Sequence, residues 1–356
     1  MAFPPSSTHM RTYRCRLSLP PHDWPEADQK AWESACRPGS RLKAGGAAAS
    51  LAQVSRNDFA TAYGTFLAFL ERVGRLDRER SAAAQVTQAN VEAYIIDLAN
   101  RVSSVTVHIY VYHMRRAAEL LAPTADFSWL VEIEKDLALV VQPRSKYDRL
   151  VFSEQLVEAG LTLIAEAQEF AHNDLARARG IRNGLMIALL ALCPIRRKNF
   201  LALEIGHTFK QLHARWWIAL PSVSTKTRRP DERCIPEQLN PYIDAYLTRS
   251  RPVLLGSNTT NALWISSNTG RPVTESAFSS LISKITLQTI GLDVSPHLFR
   301  TAAASTAAIY GGNTPHLASA LLNHTDPRVT EEHYNRASSL NASKIYADII
   351  NGYRAD

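Results

Sequence analysis

The spacing of the hydrophobic residues changes along this chain, and that change limits the folds that are open to it. Four consecutive stretches between residues 46 and 142 carry apolar residues three and four positions apart, which is the spacing of one helical face. The first three stretches follow residues that can cap a helix, which are Ser55, Thr87, and Ser103 or Ser104, and the fourth begins at Asp126 or Ser128. Four such helices in sequence predict a compact helical bundle.

The second half of the chain predicts helices around a short β section. A helix capped at Ser153 comes first, and a buried helix from Asp174 to Cys193 follows it. Residues 216–220 then favour a strand, residues 225–227 a hairpin-like turn, and residues 233–236 the end of a second strand. Helical spacing resumes at Pro241 and dominates the rest of the chain. We therefore expect a mainly α fold with a small β-sheet.

Composition divides the chain further. Residues 1–45 are rich in Pro, Ser and Arg, with Trp24 and Trp32 as apolar anchors, and predict a partly ordered N-terminal arm with a short helix through Trp32. Residues 46–142 form the helical domain, and residues 143–150 are a polar linker. Residues 151–340 form the second domain, and residues 341–356 a C-terminal helix with an apolar stripe.

Bulk properties favour a polyanionic partner. The net charge is +7 and the isoelectric point is near 9.3, although charge alone is weak support for nucleic-acid binding. The four cysteines have no metal-ligand or disulfide spacing, which is typical of reduced thiols in a cytoplasmic protein. No apolar run is long enough for a membrane span, and no secretory signal is apparent, so we expect no membrane partner.

The chain has two short basic segments, and the ordinary interpretation of each is a helix end or a turn that is exposed to solvent. Arg196, Arg197 and Lys198 come directly after the buried apolar helix. The predicted hairpin turn carries Lys226 and, just beyond it, two arginines. Each segment alone indicates little about function.

The C-terminal part of the chain brings histidines, an arginine and a tyrosine together in a fixed order. Ser295 and Pro296 predict a helix start, which places His297 and Arg300 on one helical face. His324 and Tyr334 follow. A phenol is a poor nucleophile because its pKa lies near 10, so a catalytic tyrosine needs cations around it and around its electrophile. A phosphodiester suits that grouping, because its transition state gains negative charge.

In this order, the segments resemble the catalytic domain of the tyrosine recombinases, also called the phage integrase family. The resemblance covers residues of about 150–345, and the four-helix region is more weakly similar to the family's core-binding domain. The pattern Arg-x-x-x-x-Leu-Ala-Leu from Arg196 and the pattern His-x-x-Arg at 297–300 carry it. The catalytic residues that it implies are Arg196, Lys226, His297, Arg300, His324 and Tyr334.

The resemblance also implies an activity. Tyr334 would attack a scissile phosphate to form a 3′-phosphotyrosyl link, without ATP or metal, while two domains close around duplex DNA as a C-shaped clamp. The implied assembly is a tetramer on two sites of double-stranded DNA, with an accessory DNA-bending protein as a further candidate partner. The implied location is the cytoplasm of a bacterial type of cell, at the nucleoid. The C-terminal helix would dock on a neighbouring protomer; packing on its own domain is the alternative. Other functions left open are type IB topoisomerase-like nicking and resealing, and an inactive DNA-binding regulator.

The chain departs from the family pattern at four points. Asn199 stands where the family commonly has Glu, Thr301 where many members have His, and Asn323 where Gly usually precedes the later histidine. The spacing from His324 to Tyr334 is one residue longer than is common. None of these departures removes a catalytic group.

Further basic side chains are candidates for DNA contacts. Those on the third bundle helix either face a DNA groove or form a solvated face, and Arg197 and Lys198 suit backbone contacts or a solvated face rather than catalysis. The remaining candidates lie in the linker and the hairpin. The full set is His108, His113, Arg115, Arg116, Arg144, Lys146, Arg197, Lys198, Arg228 and Arg229.

Overall fold

A computed structural model describes residues 17–143, 151–225, 228–310 and 317–323. The chain divides into two compact units between residues 145 and 146, a position inside the stretch that the sequence analysis assigns to the linker. None of the described helices is long and apolar enough to cross a membrane.

The first unit is helical. Its helices are α1 (Glu26–Cys36), α2 (Gln53–Arg72), α3 (Gln88–Ala99), α4 (Ser104–Leu121) and α5 (Ser128–Leu139). The Thr87 hydroxyl accepts from the Asn90 N–H at the start of α3, and the Ser103 hydroxyl accepts from the Thr106 N–H at the start of α4. Both predicted caps are therefore confirmed. The cap predicted at Ser55 is wrong, because α2 begins at Gln53 and Ser55 lies within its first turn.

Part of the predicted N-terminal arm, between Leu19 and Ala35, packs into the core of this unit. Trp24 and Trp32 are buried, and both lie in one aromatic cluster with Tyr63 of α2. The Asp28 carboxylate accepts from the Tyr63 hydroxyl at 3.0 Å and from the Ala83 N–H at 2.7 Å. Composition did not reveal this packing, because a few well-placed aromatic side chains bury enough area to order a polar segment.

The second unit is mixed. Its helices are α6 (Ser153–Phe170), α7 (Asp174–Leu192), α8 (Arg197–Leu201), α9 (Asn240–Ala245), α10 (Arg251–Leu255), α11 (Glu275–Ile290), α12 (Pro296–Tyr310) and α13 (Leu317–Leu322). A π turn, Tyr246–Ser250, joins α9 to α10. The predicted cap at Ser153 is wrong by one residue, since Ser153 is the first helical residue and Phe152 precedes it. Helices α6 and α7 approach closely at Gly160 and Gly184, where a side chain at position 184 would meet the Gly160 carbonyl oxygen at 2.4 Å.

The sheet has three antiparallel strands in the order β1 (Phe209–Leu212), β2 (Arg215–Leu220) and β3 (Asp231–Cys234). The fold class predicted from the sequence is thus confirmed, and β2 and β3 fall where strands were predicted. Strand β1 was not predicted, because it has only four residues and little apolar alternation. Its turn to β2 uses positive φ at His213 and Ala214, where sequence rules look for Gly or Asn.

Candidate active site

Arg196 is held by the turn between α7 and α8. Pro194 follows the buried end of α7 and cannot continue the helix. Cys193 and Ile195 are buried, and the Ile195 N–H donates to the Cys193 carbonyl at 2.7 Å. These contacts fix the backbone on one side of Arg196, which is the N-cap residue of α8 and is half-buried.

Arg300 is buried on α12 and links two backbone segments. Its guanidinium donates to the Pro194 carbonyl at 2.5 Å and to the Leu322 carbonyl at 2.7 Å. The first bond ties α12 to the turn that holds Arg196. His297 lies one helical turn earlier and is exposed, and α12 begins at Pro296, as the sequence predicts.

The charges near Arg300 form a cationic cluster. Burial, together with the neighbouring guanidiniums of Arg196 and Arg233, lowers the pKa of Arg300 to about 10, while the Asp231 carboxylate opposes this shift. The side chain therefore stays protonated at neutral pH but is held at an electrostatic cost. We call Arg196, Arg233 and Arg300 the arginine cluster, since the charges of Arg196 and Arg233 both act on Arg300. Guanidinium groups are well suited to bind an anion with several oxygens.

Arg233, which lies on β3, was not among the predicted site residues. Its Nε and Nη2 donate to the two carboxylate oxygens of Asp231 at 2.8 and 2.9 Å. The spacing of the two residues was an available signal, since positions i and i+2 of a strand share one face. Their closeness to Arg300 depends on tertiary packing.

Hydrogen bonds of Thr225 stabilise the start of the β2–β3 connection. The Thr225 side chain is buried, with its hydroxyl 2.6 Å from the Arg229 carbonyl oxygen and 3.1 Å from that of Ser222. The Arg228 N–H donates to the Thr225 carbonyl at 3.2 Å, and Arg228 has a φ of 53°. Arg228 and Arg229 are both exposed. Lys226 lies outside the described residues, so its proposed role stays a prediction.

The segment that leads to the later histidine and tyrosine begins next to Arg300. Leu322 supplies the carbonyl that Arg300 binds, and Asn323 has a φ of 48°. Asn tolerates this left-handed conformation better than most residues, which gives a physical reason for Asn where the family usually has Gly. His324 and Tyr334 lie outside the described residues.

The cations after Arg196 differ in their surroundings. Arg197 donates to Glu275 at 2.7 Å and to the Ser279 hydroxyl at 2.9 Å, so it ties α8 to α11. Lys198 is exposed. Contact with a DNA backbone stays a prediction for both residues, and Lys198 has the more accessible charge.

The two arginines of α4 also differ in their ion pairs and in their exposure to solvent. Arg115 binds both carboxylate oxygens of Glu134 and also pairs with Glu119, and its side chain is only 11% exposed. Arg116 pairs with Glu119 and is 37% exposed. This geometry gives Arg115 a structural contact within its own unit.

The two histidines of α4 are both half-buried. The ring of His113 packs against Phe59, and burial lowers its pKa while Asp58 raises it. DNA contact stays a prediction for His108 and His113. Arg144 and Lys146 lie outside the described residues. Within the described ranges, no three His, Cys, Asp or Glu side chains are grouped to hold a metal ion.

Several solved structures of site-specific recombinases have a fold similar to that of this chain. XerH site-specific recombinase bound to a palindromic difH substrate, in a post-cleavage complex, has a TM-score of 0.55 and 15% identity, with 83% of this chain and 80% of that chain covered. The Tn1549 transposon integrase in complex with transposon right-end DNA has a TM-score of 0.55 and 11% identity, with 83% and 93% covered. At these identities the similarity shows the fold alone. A comparison with curated protein sequences finds no significant match.

A family model described as the phage integrase family matches residues 152–340, which is more than half of the 356-residue chain. The chain therefore belongs to the phage integrase family, and the resemblance inferred from its motifs is confirmed.

Proposed function

We propose that this protein is a site-specific DNA recombinase that cuts and rejoins duplex DNA through a 3′-phosphotyrosyl intermediate, as in integration or excision. The observation that carries the proposal is the position of buried Arg300, which binds the backbone of the turn holding Arg196. A buried guanidinium held next to the backbone turn of a second arginine preorganises positive charge for the extra negative charge of a phosphoryl-transfer transition state. The similar structures that are bound to recombination substrates support DNA as the partner.

The chemistry assigns one task to each group. The Tyr334 oxygen bonds to phosphorus, the bond from phosphorus to the 5′-oxygen breaks, and that oxygen takes a proton from Lys226. Arg196 and Arg300 bind the non-bridging oxygens, and His324 hydrogen-bonds the phosphate. His297 assists removal of the phenolic proton, because its ordinary pKa lies near neutrality. Attack by a 5′-hydroxyl then reverses the steps, and the energy of the original bond is conserved.

The direct test uses a nicked duplex from which the short 5′-hydroxyl strand diffuses away after cleavage. Accumulation of a covalent adduct to the 3′ side of the break would support the proposal. Binding without an adduct would favour the inactive DNA-binding regulator instead. An adduct that reseals on one duplex but never exchanges strands between two would favour type IB topoisomerase-like nicking and resealing.

The proposed assembly is a tetramer on two DNA sites, with each protomer binding duplex DNA through both units and residues 341–356 docking on a neighbour. An accessory DNA-bending protein is a further proposed partner. The accessible basic residues on α4 and in the hairpin, Arg116, Arg228 and Arg229 among them, would contact the phosphate backbone, which gives affinity and registers the protein on the duplex.

Two adjacent arginines of α4 should respond differently to alanine. We expect Arg116→Ala to weaken DNA binding and to reduce the slope of log affinity against log salt by about one, because an accessible charge is lost. We expect Arg115→Ala to lower the free energy of unfolding by about 1–3 kcal/mol, because Glu134 is left buried without its partner. DNA titrations at several salt concentrations and denaturant unfolding separate the two effects. Equal salt slopes and equal stabilities would contradict the assignment.

Lys226 should matter only when the leaving group needs a proton. We expect Lys226→Ala to slow cleavage of ordinary DNA by about a thousandfold, which is typical for loss of a general acid. A substrate with a bridging 5′ sulfur should restore most of the rate, because a thiolate leaves without protonation. Rapid-quench cleavage of both substrates measures this, with Arg228→Ala as a control for lost charge in the same hairpin. An equal defect on both substrates would assign Lys226 to DNA binding alone.

A further inference from the structure

The helical unit contains a cavity of about 700 Å³ that the proposed recombination chemistry does not use. The cavity lies between residues 18–21, the second half of α1 and the first half of α2. None of the described residues proposed for catalysis or for DNA contact lines it. Its volume is that of pockets which hold small organic ligands.

Hydrogen bonds hold the walls of this cavity in place. The Ser18 hydroxyl donates to the Thr61 carbonyl at 3.0 Å, and the Leu19 N–H donates to the Gly64 carbonyl at 2.9 Å. A side chain at position 64 would meet the Leu19 carbonyl oxygen at 2.1 Å, so residues 18–21 and α2 approach closely. A ligand would therefore enter a preformed site, which reduces the entropic cost of binding.

The lining of the cavity has an apolar part and a polar part. The apolar part consists of Leu19, Pro20, Pro21 and Trp32. The polar part comes mainly from the first turns of α2, where the Gln53 amide donates to the Asn57 side-chain oxygen at 2.8 Å. The N–H groups of the Asn57 amide then remain for another acceptor. A ligand with an apolar body and a polar head matches such a lining.

Arg56 gives the cavity its charge. It is the only charged side chain among the described residues that line the cavity. Its Nε is buried and lacks a hydrogen-bond partner within the part of the chain that the structure describes. The Cys36 thiol also lines the cavity; burial raises the pKa of this thiol, and the charge of Arg56 opposes the shift. A buried donor without an acceptor is costly, and a bound anion would remove that cost.

The position of Arg56 in α2 also favours an anion. Helix α2 begins at Gln53, and Arg56 lies in its first turn, where no residue is acidic. Ala52, which precedes the helix, offers no capping side chain. The unpaired N–H groups at a helix start carry partial positive charge, so a cation there is unfavourable and an anion is stabilised.

We propose that this cavity binds an organic monocarboxylate, with its apolar body against Trp32 and its carboxylate accepting hydrogen bonds from Arg56. A guanidinium and a carboxylate are both planar and can form two parallel hydrogen bonds. A single arginine balances one negative charge, so a monocarboxylate fits this lining better than a phosphate dianion. The inference does not depend on the proposed function, because the site lies within the helical unit and its occupation needs no DNA cleavage.

Benzoate is the probe, because it combines one carboxylate with a flat apolar ring. Iodoacetamide labelling of Cys36 in the full chain, followed by peptide mass spectrometry, reports whether the cavity is filled. The labelling should slow by about fivefold or more in about 20 mM benzoate, because a filled cavity shields the thiol. Cys234 is exposed in the second unit and should keep its rate. Acetate lacks the ring and benzyl alcohol lacks the charge, so each should need a concentration about tenfold higher or more for the same effect.

Variants at position 56 test the role of the charge. Arg56→Leu should remove the effect of benzoate, because the guanidinium is lost and an apolar stem is kept. The matched control is Arg75→Gln, which removes an exposed arginine just beyond the other end of α2 and should leave the effect unchanged. Without benzoate, Arg56→Leu should melt no lower than the wild type, because an unpaired donor and an unfavourable charge at a helix start are both removed.

The same measurements give the outcomes that would overturn the carboxylate site. Labelling of the wild type that benzoate does not slow would do so, as would equal slowing by benzoate and benzyl alcohol, or slowing that persists in Arg56→Leu. A melting temperature of Arg56→Leu several degrees below that of the wild type would make Arg56 a structural cation. A DNA duplex is the other source of an anion, and shielding of Cys36 by DNA but not by benzoate would assign Arg56 to the phosphate backbone and contradict the proposal.

Discussion

Replacing Tyr334 by phenylalanine is expected to abolish the covalent protein–DNA adduct. Only the hydroxyl is removed, so DNA affinity should stay within about twofold of the wild type, as for a residue that gives no phosphate contact. The loss of cleavage should be about a millionfold, the scale seen when a covalent nucleophile is removed. Denaturing gel electrophoresis of protein trapped on a nicked duplex measures the adduct, and a binding titration of the same sample measures the affinity.

Tyr346→Phe is the matched control, because it makes the same change at the next tyrosine in the chain. Cleavage by that variant should be normal. An adduct that persists in Tyr334→Phe and disappears in Tyr346→Phe would move the nucleophile to position 346.

Replacing Arg300 by lysine is expected to have the next largest effect. Lysine keeps the charge but cannot bind two phosphate oxygens in a plane, and it cannot reach both the Pro194 and Leu322 carbonyls. We expect a loss of about 3–4 kcal/mol of transition-state stabilisation, by comparison with the loss of one oxyanion donor. Single-turnover cleavage at saturating DNA is the measurement, and the free energy of unfolding must be measured beside it.

Part of the Arg300 effect should appear as stability. Two buried carbonyl oxygens lose a charged donor, at a cost of about 1–3 kcal/mol for each group left unsatisfied. Arg249→Lys, on an exposed arginine of the same unit, should change neither quantity. Near-normal cleavage by Arg300→Lys would show that Arg300 is a structural link between α12 and its neighbours and no phosphate ligand.

Local signals in the sequence predicted the helices well. Thr87 and Ser103 cap α3 and α4 because a side-chain oxygen and an N–H two or three residues later need no tertiary partner. The positions of β2, β3 and the start of α12 followed from equally local patterns. Local signals did not determine where α2 begins, near Ser55. Packing of the apolar face of a helix decides which residues of its first turn are helical.

The order of the motifs along the chain was sufficient to recognise the family, because Arg196, His297 and Arg300 keep their spacing within short patterns. Their meeting in space depends on long-range contacts. The bond from Arg300 to Pro194 joins residues more than a hundred positions apart, and no periodicity in the sequence reports it.

The sequence by itself determined the mainly helical class, the small sheet and the family, since each depends on local patterns of apolar and charged residues. The tertiary structure alone decided which charges are free to bind and which are already paired. In the sequence, Arg115 and Arg233 are indistinguishable from other basic residues. In the folded protein, Arg115 is paired with Glu134 and Arg233 with Asp231. The reason is physical: pairing depends on a distance of a few ångströms between side chains, and only packing sets that distance.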